Sequence, residues 1–198
     1  LNWISKFSDE TLENLYTKEV KEEIKRGELT SIFRSYFTLS QERDFLSRTL
    51  YCDIKTWLPD DLLVKIDRMS MATSLETRVP YLDHRIVELC TSMPIHLKLK
   101  GFTSKYILRK AFSSLIPEEI LKRRKQGFTV PLTPWLRKEL KEFAQEILSQ
   151  NNIAKRGYFN YNYIKHILKE HFEGKRDYSR EIWSLLVFEL WSKAYIEN

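Results

Sequence analysis

Toward the C-terminus the apolar residues keep one helical period over several turns. Trp183, Leu186, Val187, Leu190, Trp191, Ala194 and Tyr195 stand at i, i+3, i+4, i+7, i+8, i+11 and i+12. That spacing lines one face of an α-helix, whereas a strand would need a period of two. An aromatic stripe of this kind is expected to be core, not a cofactor surface. The rest of the chain is punctuated in the same helical way. Ser8 before Asp9 and Glu10 reads as an N-cap with an acidic first turn. Thr17 to Arg26 reads as a helix closed by Gly27. A further helix is expected from Ser40 to about Trp57, and Pro59 suits the first position of the next. That helix carries Leu62, Ile66 and Met69 on one face and is expected to end near Leu75, because Pro80 holds Val79 extended. Asp83 caps a helix through Met93, and Thr103 caps another bearing Ile107, Leu108, Phe112 and Leu115. Pro117 starts a short helix, and a long one is expected from about Pro134 to Leu148. The chain has five glycines, no Asn-Gly or Asp-Gly pair and no sustained alternation, so sheet has little support. The expected fold is mostly α, a single helical region over 1–198, with 151–157 as the best linker.

Composition excludes several classes. Hydrophobic residues make up 42% and aromatics 13%, enough to bury a core and too much for a disordered chain. No apolar run approaches the ~18 residues that span a bilayer, and no secretory signal opens the sequence. Cys52 and Cys90 form no CxxC pair, so two buried free thiols in a reducing, cytoplasmic setting are expected. His166 and His171 are five apart, off the spacing of helical metal ligands, and no metal site is expected. The start at Leu1 suggests an excised or processed piece whose N-terminal part is missing.

Charge is unevenly placed. Residues 98–125 hold nine Lys and Arg against Glu118 and Glu119, which is 9 − 2 = +7, while the whole chain is +6. The remainder is therefore 6 − 7 = −1. A local basic patch favours a discrete anionic ligand over a membrane surface. Nucleic acid is not expected as a partner, because the cations gather around a loop, not along one recognition helix, and no DNA-binding motif is present. A helical nucleic-acid-binding module, which the basic segment permits, and a helical interaction module docking through the aromatic stripe are the alternative readings from other classes.

Two segments carry candidate chemistry. Arg123-Arg124-Lys125-Gln126-Gly127-Phe128 sets three cations before a glycine that permits a sharp turn, with Pro131 and Trp135 following. Guanidinium and ammonium groups match phosphate oxygens. The plain alternative is a solvated charge cluster at a helix end. Upstream, Asp67, Ser70 and Ser74 fall on one helical face, and Glu76 and Arg78 leave the helix on an extended stretch. From spacing alone, ordinary ion pairs at Asp67 and Arg68 and a turn locked by Glu76 and Arg78 are the simpler reading.

Taken in order, Leu58-Pro59-Asp60-Asp61-Leu62-Leu63, Asp67-Arg68-Met69-Ser70-Met71-Ala72, Ser74-Leu75-Glu76-Thr77-Arg78-Val79-Pro80-Tyr81-Leu82-Asp83, Lys105 to Arg109 and Arg123-x-Lys125-x-Gly127-Phe128 resemble the C-terminal part of glutamine-dependent asparagine synthetases. The likeness is strong over residues 50–136 and weak on the flanks. It implies a fold: the helical C-terminal part of an α/β adenine-nucleotide-hydrolase-like (ATP pyrophosphatase) synthetase domain. It also implies a reaction. ATP activates the aspartate side-chain carboxylate as β-aspartyl-AMP with release of pyrophosphate, and glutamine-derived ammonia then attacks. The family's lysine falls on Lys125, where a fixed ammonium stabilises charge that develops in the transition state. Arg123 and Arg124 add to that field or pair with acids. Lys105 and Arg109, four apart, resemble the family's K-x-x-x-R and read as a phosphate contact or as partners of Glu118 and Glu119. Asp67, Arg68, Ser70, Ser74, Glu76 and Arg78 are implied to wall the synthetase cleft.

The departures matter as much. The S-G-G-x-D-S phosphate loop, the acidic G-E-G-x-D-E segment and the N-terminal nucleophilic cysteine are absent. Adenylation needs backbone amides for phosphate and acids for Mg²⁺. The chain alone is therefore expected to be inactive, as an excised C-terminal piece or one half of a split enzyme. The resemblance implies ATP and Mg²⁺ in the whole enzyme, a missing N-terminal part, and room for a homodimer. Tailoring amidotransferases and β-lactam-forming synthetases are the near alternative, acting on another carboxylate.

Overall fold

The computed structural model describes residues 6–24, 30–124, 127 and 130–197. It is mostly helical. In chain order the helices are α1 (Asp9–Leu15), α2 (Lys18–Glu23), α3 (Ser31–Leu39), α4 (Phe45–Lys55), a wide helical stretch at Leu58–Leu63 that continues into α5 (Val64–Met71), α6 (His84–Ser92) and α7 (Ile95–Lys98). A minimal hairpin, β1 (Leu99–Lys100) and β2 (Thr103–Ser104), precedes α8 (Tyr106–Ala111) and α9 (Glu118–Lys122). Then follow α10 (Leu132–Arg137), α11 (Lys141–Ile147), α12 (Gln150–Arg156), α13 (Tyr161–Phe172) and α14 (Ser179–Tyr195). No helix among the described residues is long and apolar enough to cross a membrane. The chain divides into two compact units, 1–26 with 127–198, and 27–126.

The first unit is built around α14, whose Ile182, Leu185 and Leu186 are fully buried against α10, α11 and α13. Each such side chain contributes about 1.5–3 kcal/mol on leaving water. The N-terminal segment returns to this core. α1, capped by the Ser8 hydroxyl accepting from the Thr11 N–H, packs on α13. Tyr16 bridges to Phe159, Asn160 N–H donates to the Leu15 carbonyl at 2.7 Å, and Thr17 N–H donates to Tyr158 at 3.1 Å. α2 stops at Glu23, and Gly27, the expected helix end, lies outside the described residues.

Three expectations fail in this unit. The expected stripe of α14 is mostly exposed: of its seven residues Leu186 alone is buried, Trp183, Val187 and Trp191 are each nearly half exposed, and Tyr195 is 74% exposed. The buried face carries Ile182, Leu185, Leu186, Glu189 and Ser192 instead. The helix is apolar on two faces, and the aliphatic one fits the neighbouring helices. The long helix expected over 134–148 breaks at Lys138 (φ −123°, ψ −91°) into α10 and α11. In a straight helix Leu136 and Leu148 would stand about 120° apart around the axis. With the break, both reach the core. The expected linker at 151–157 is α12, anchored by buried Ile153 and closed by Gly157 at φ +73°. Glycine takes that left-handed C-terminal position without a Cβ penalty.

Two polar clusters hold the unit. Arg156 Nε meets Glu189 Oε2 at 2.6 Å with both side chains largely buried, and Glu189 Oε1 has no hydrogen-bond partner. Glu197 adds a 3.2 Å link to the same guanidinium. Nearby in sequence order, fully buried His171 accepts at Nδ1 from the Tyr178 N–H at 3.2 Å, and Arg137 Nε donates to its carbonyl at 2.9 Å. Asp177 accepts from the Thr133 hydroxyl at 2.8 Å and the Ser179 N–H at 2.9 Å, tying the start of α14 to α10.

In the second unit, α3 and α4 form a helical hairpin. Arg48 donates through Nε and Nη2 to the Phe37 carbonyl, its guanidinium 3.7 Å from the centre of the Phe37 ring. The helix expected to start at Ser40 starts at Phe45. Ser40 Oγ donates back to the Tyr36 carbonyl at 3.0 Å, so it closes α3, and Asp44 caps α4 by accepting from Ser47 N–H at 2.9 Å. The helix expected from Thr103 is displaced too. Gly101 at φ +56° turns β1 into β2, pairing Lys100 with Thr103, and α8 begins only after Lys105. Of this unit's described residues only Cys52 and Thr56 are buried; Cys90, expected to be buried as well, is an exposed free thiol. Leu39, Phe45 and Leu115 are more than 70% exposed. The unit is a set of amphipathic helices without a closed core of its own.

Candidate functional site

Both candidate segments lie in the second unit. α5 sets Asp67 and Ser70 on one exposed face, and the Ser70 hydroxyl donates to the Asp67 carbonyl at 3.1 Å. Ser74 does not share that face. The helix closes at Met71, and Ser74 sits in the left-handed region at φ +57°, with Leu75 N–H donating to the Ser70 carbonyl at 2.9 Å. The chain then runs extended from 75 to 79. On it, Glu76 and Arg78 are paired and both exposed, the arrangement that spacing alone favoured. Such an exposed pair contributes at most about 1 kcal/mol. Arg68 makes no ion pair among the described residues.

Asp83 caps α6 and grips Arg85. It accepts from the Arg85 N–H at 3.0 Å, from Nε at 2.9 Å and from Nη2 at 2.8 Å. The guanidinium hydrogen bonds, with the backbone one, hold the Asp83 carboxyl below the usual carboxylate range. Sequence reasoning missed Arg85; the signal was an acid two residues before a cation at a helix start.

The basic segment is less uniform than its composition. Lys105 is the residue before α8, at φ 55°, and its carbonyl accepts from the Arg109 N–H at 3.0 Å. Lys105 and Arg109 therefore bracket the first turn and do not share a helical face. Arg109 Nη1 donates to the carbonyl of Leu121 in α9. Lys122 pairs with Glu118 at 2.6 Å. Lys98 donates to the Thr91 carbonyl at 3.2 Å, capping the end of α6. Arg123 leaves α9 extended (φ −59°, ψ 134°), and neither it nor Arg124 makes an ion pair among the described residues. Lys125, Gln126 and Phe128 lie outside the described residues. Gly127 does not take a left-handed φ. Among the described residues no hydrogen bond or ion pair joins 67–83 to 105–124.

No group of three or more His, Cys, Asp and Glu side chains among the described residues is placed to hold a metal ion. The donor set for Mg²⁺ does not fit what these residues offer. The first unit holds a concavity of about 500 Å³ whose lining includes Phe7, Tyr16, Leu185, Phe188 and Trp191. No cation or acid lines it, so it offers no electrostatic handle for a phosphate.

The chain is similar to known proteins over most of its length. A family model described as asparagine synthase matches residues 2–193. Glutamine-hydrolyzing asparagine synthetase 1 of Bacillus subtilis is 38% identical over 167 residues, covering 84% of this chain and 26% of that protein. A putative glutamine-hydrolyzing asparagine synthetase of Mycobacterium tuberculosis is 35% identical over 170 residues, 85% of this chain and 26% of its own length. The human glutamine-hydrolyzing asparagine synthetase is 31% identical over 141 residues, 61% of this chain and 24% of its own. The chain thus spans about a quarter of the length of these curated relatives. No solved structure matches it.

Proposed function

The chain belongs to the asparagine synthase family, and we propose that it supplies the helical C-terminal part of an ATP-dependent, glutamine-hydrolysing asparagine synthetase. The observation that carries this reading is the family match over residues 2–193, with Arg123-x-Lys125-x-Gly127-Phe128 inside it. In this reading all 198 residues form one region of the synthetase domain, and the phosphate loop, the Mg²⁺ ligands and the glutaminase domain belong to the rest of the protein. The exposed apolar helices of the second unit fit such a role, since they lack a core among themselves.

The aspartate side-chain carboxylate displaces pyrophosphate from ATP, giving β-aspartyl-AMP. Ammonia released from glutamine attacks the acyl carbon, and AMP leaves as asparagine forms. Lys125 holds a fixed positive charge where negative charge grows on the departing pyrophosphate and on the tetrahedral species. Arg123 and Arg124, exposed at the end of α9 two residues and one residue away, add to the same field. Lys105 offers a further phosphate contact. Asp67, Arg68, Ser70, Ser74, Glu76 and Arg78 wall the cleft. Mg²⁺ neutralises phosphate charge when bound, on ligands supplied outside this chain. The enzyme is cytoplasmic in this reading, and a homodimer is compatible with it.

The test is Lys125→Ala in the intact synthetase, with AMP and asparagine measured from ATP, aspartate and glutamine. Synthesis should fall by roughly 10²–10³ with the fold unchanged, the scale for losing one preorganised charge-stabilising group. Lys125→Arg should recover only part, because a guanidinium differs in shape and hydration. Unaltered synthesis in Lys125→Ala would overturn the assignment. Amidation of another carboxylate in place of aspartate would replace the substrate.

A further inference from the structure

We infer that Arg109 is a positioning residue: it closes the C-terminal end of α9 and so fixes where the 123–128 loop departs. The inference rests on the reading of Lys125 as the charge-stabilising group. Its starting point is a deficit in α9. A helix leaves its last carbonyls without partners inside the helix. The five residues of α9 end at Arg123, which is extended and donates no backbone N–H back to close the helix. Lys122 is committed to Glu118 on the helix itself. The Leu121 carbonyl is taken by Arg109 Nη1, reaching across from α8. A guanidinium at this place satisfies an orphan acceptor and meets the negative end of the helix dipole.

Burial separates Arg109 from its neighbours. It is half-buried, while Lys105, Lys110, Lys122, Arg123 and Arg124 are exposed. Lys105, Lys110, Arg123 and Arg124 make no ion pair among the described residues and face outward, whereas Lys122 is held by Glu118 and Arg109 by the Leu121 carbonyl. Lys98 does the same for the end of α6 through the Thr91 carbonyl. Cations of this segment thus divide into those that close helix ends and those that face outward. Only three residues separate Leu121 from Lys125. Freeing the Leu121 carbonyl releases the origin of the loop, and a displacement on the order of 1 Å at a reacting group costs about 10²-fold in rate.

A double-mutant cycle in the full-length synthetase decides the matter, using Arg109→Met, Lys125→Ala and both together. Arg109→Met keeps most of the stem and removes the donor. We expect kcat to fall about 10- to 100-fold, with KM for ATP within about threefold of the parent. In the Lys125→Ala background the same change should add less than about twofold, since an effect relayed through Lys125 has nothing left to act on. If the two losses multiply, or if Arg109→Met raises KM for ATP and spares kcat, Arg109 touches phosphate directly and the inference fails. An unimpaired Lys125→Ala enzyme instead removes the underlying reading. Should Arg109→Met not fold, by its circular dichroism melt, Arg109→Lys serves. Amide hydrogen exchange at 121–124 without ATP should then quicken, and its kcat should fall while KM for ATP holds. Unchanged exchange overturns the inference.

Discussion

Removing Arg156 should cost the first unit much of its stability. Glu189 is 3% exposed, one carboxylate oxygen has no hydrogen-bond partner, and the other is held at 2.6 Å by Arg156 Nε. Arg156→Met leaves that carboxylate buried with no compensating charge. Breaking a buried pair from one side costs about 3–5 kcal/mol. That loss is a large share of the roughly 5–15 kcal/mol that typically holds a domain. Urea unfolding followed by far-ultraviolet circular dichroism should show the midpoint falling by more than about 1 M, given m of about 1–3 kcal/mol/M. Arg156→Met combined with Glu189→Leu should return to within about 1 kcal/mol of the parent or exceed it, because no charge is then stranded. The reasoning is refuted if the single change costs under about 1 kcal/mol, or if the double change is as damaging as the single.

Two further outcomes test the same unit. Burial, with the Arg137 charge next in weight, holds the His171 imidazole below its ordinary pKa. Above about pH 6.5 both folded and unfolded chains carry it neutral and its contribution is full; as pH falls below that value only the unfolded chain takes the proton, so stability drops by up to about 1.4 kcal/mol per pH unit until the lowered folded value is reached. Urea midpoints compared between the parent and His171→Gln should lose that part of the slope in the variant. Gly157→Ala should cost about 1–2 kcal/mol from the left-handed φ alone, since a Cβ there meets nothing within 4 Å; Gly157→Asn should cost less, and equal melting temperatures for all three would contradict it.

Local chemistry was legible and partnership was not. The caps at Ser8 and Asp83 are made as the sequence implies, because a side chain and an amide a few residues away decide them. Ser40 misled because a serine serves either end of a helix, and only its hydroxyl's actual partner tells which. The hairpin at 99–104 turns on Lys-Gly-Phe-Thr, which carries no Asn-Gly signal. The inward face of α14 depends on helices that arrive from elsewhere in the chain, so periodicity found one apolar stripe and not the face that packs. At the site, the order of motifs was readable, and so was the pairing of Glu76 with Arg78. The engagement of Arg109 by Leu121 was not, since it joins two helices and no spacing rule describes it.

The return of the N-terminal segment to the C-terminal helices has a consequence for how the protein is made. The Thr17 hydroxyl donates to the Gly157 carbonyl across a sequence separation of 140 residues. During translation, at about 5–20 residues per second, α1 and α2 wait roughly 7–28 s for the strand of chain that will receive them. All of residues 27–126 emerges first. The first unit therefore cannot assemble in order of synthesis. Its N-terminal helices must persist unpaired, or be sheltered by the folding machinery, until the helices of residues 127–198 have emerged.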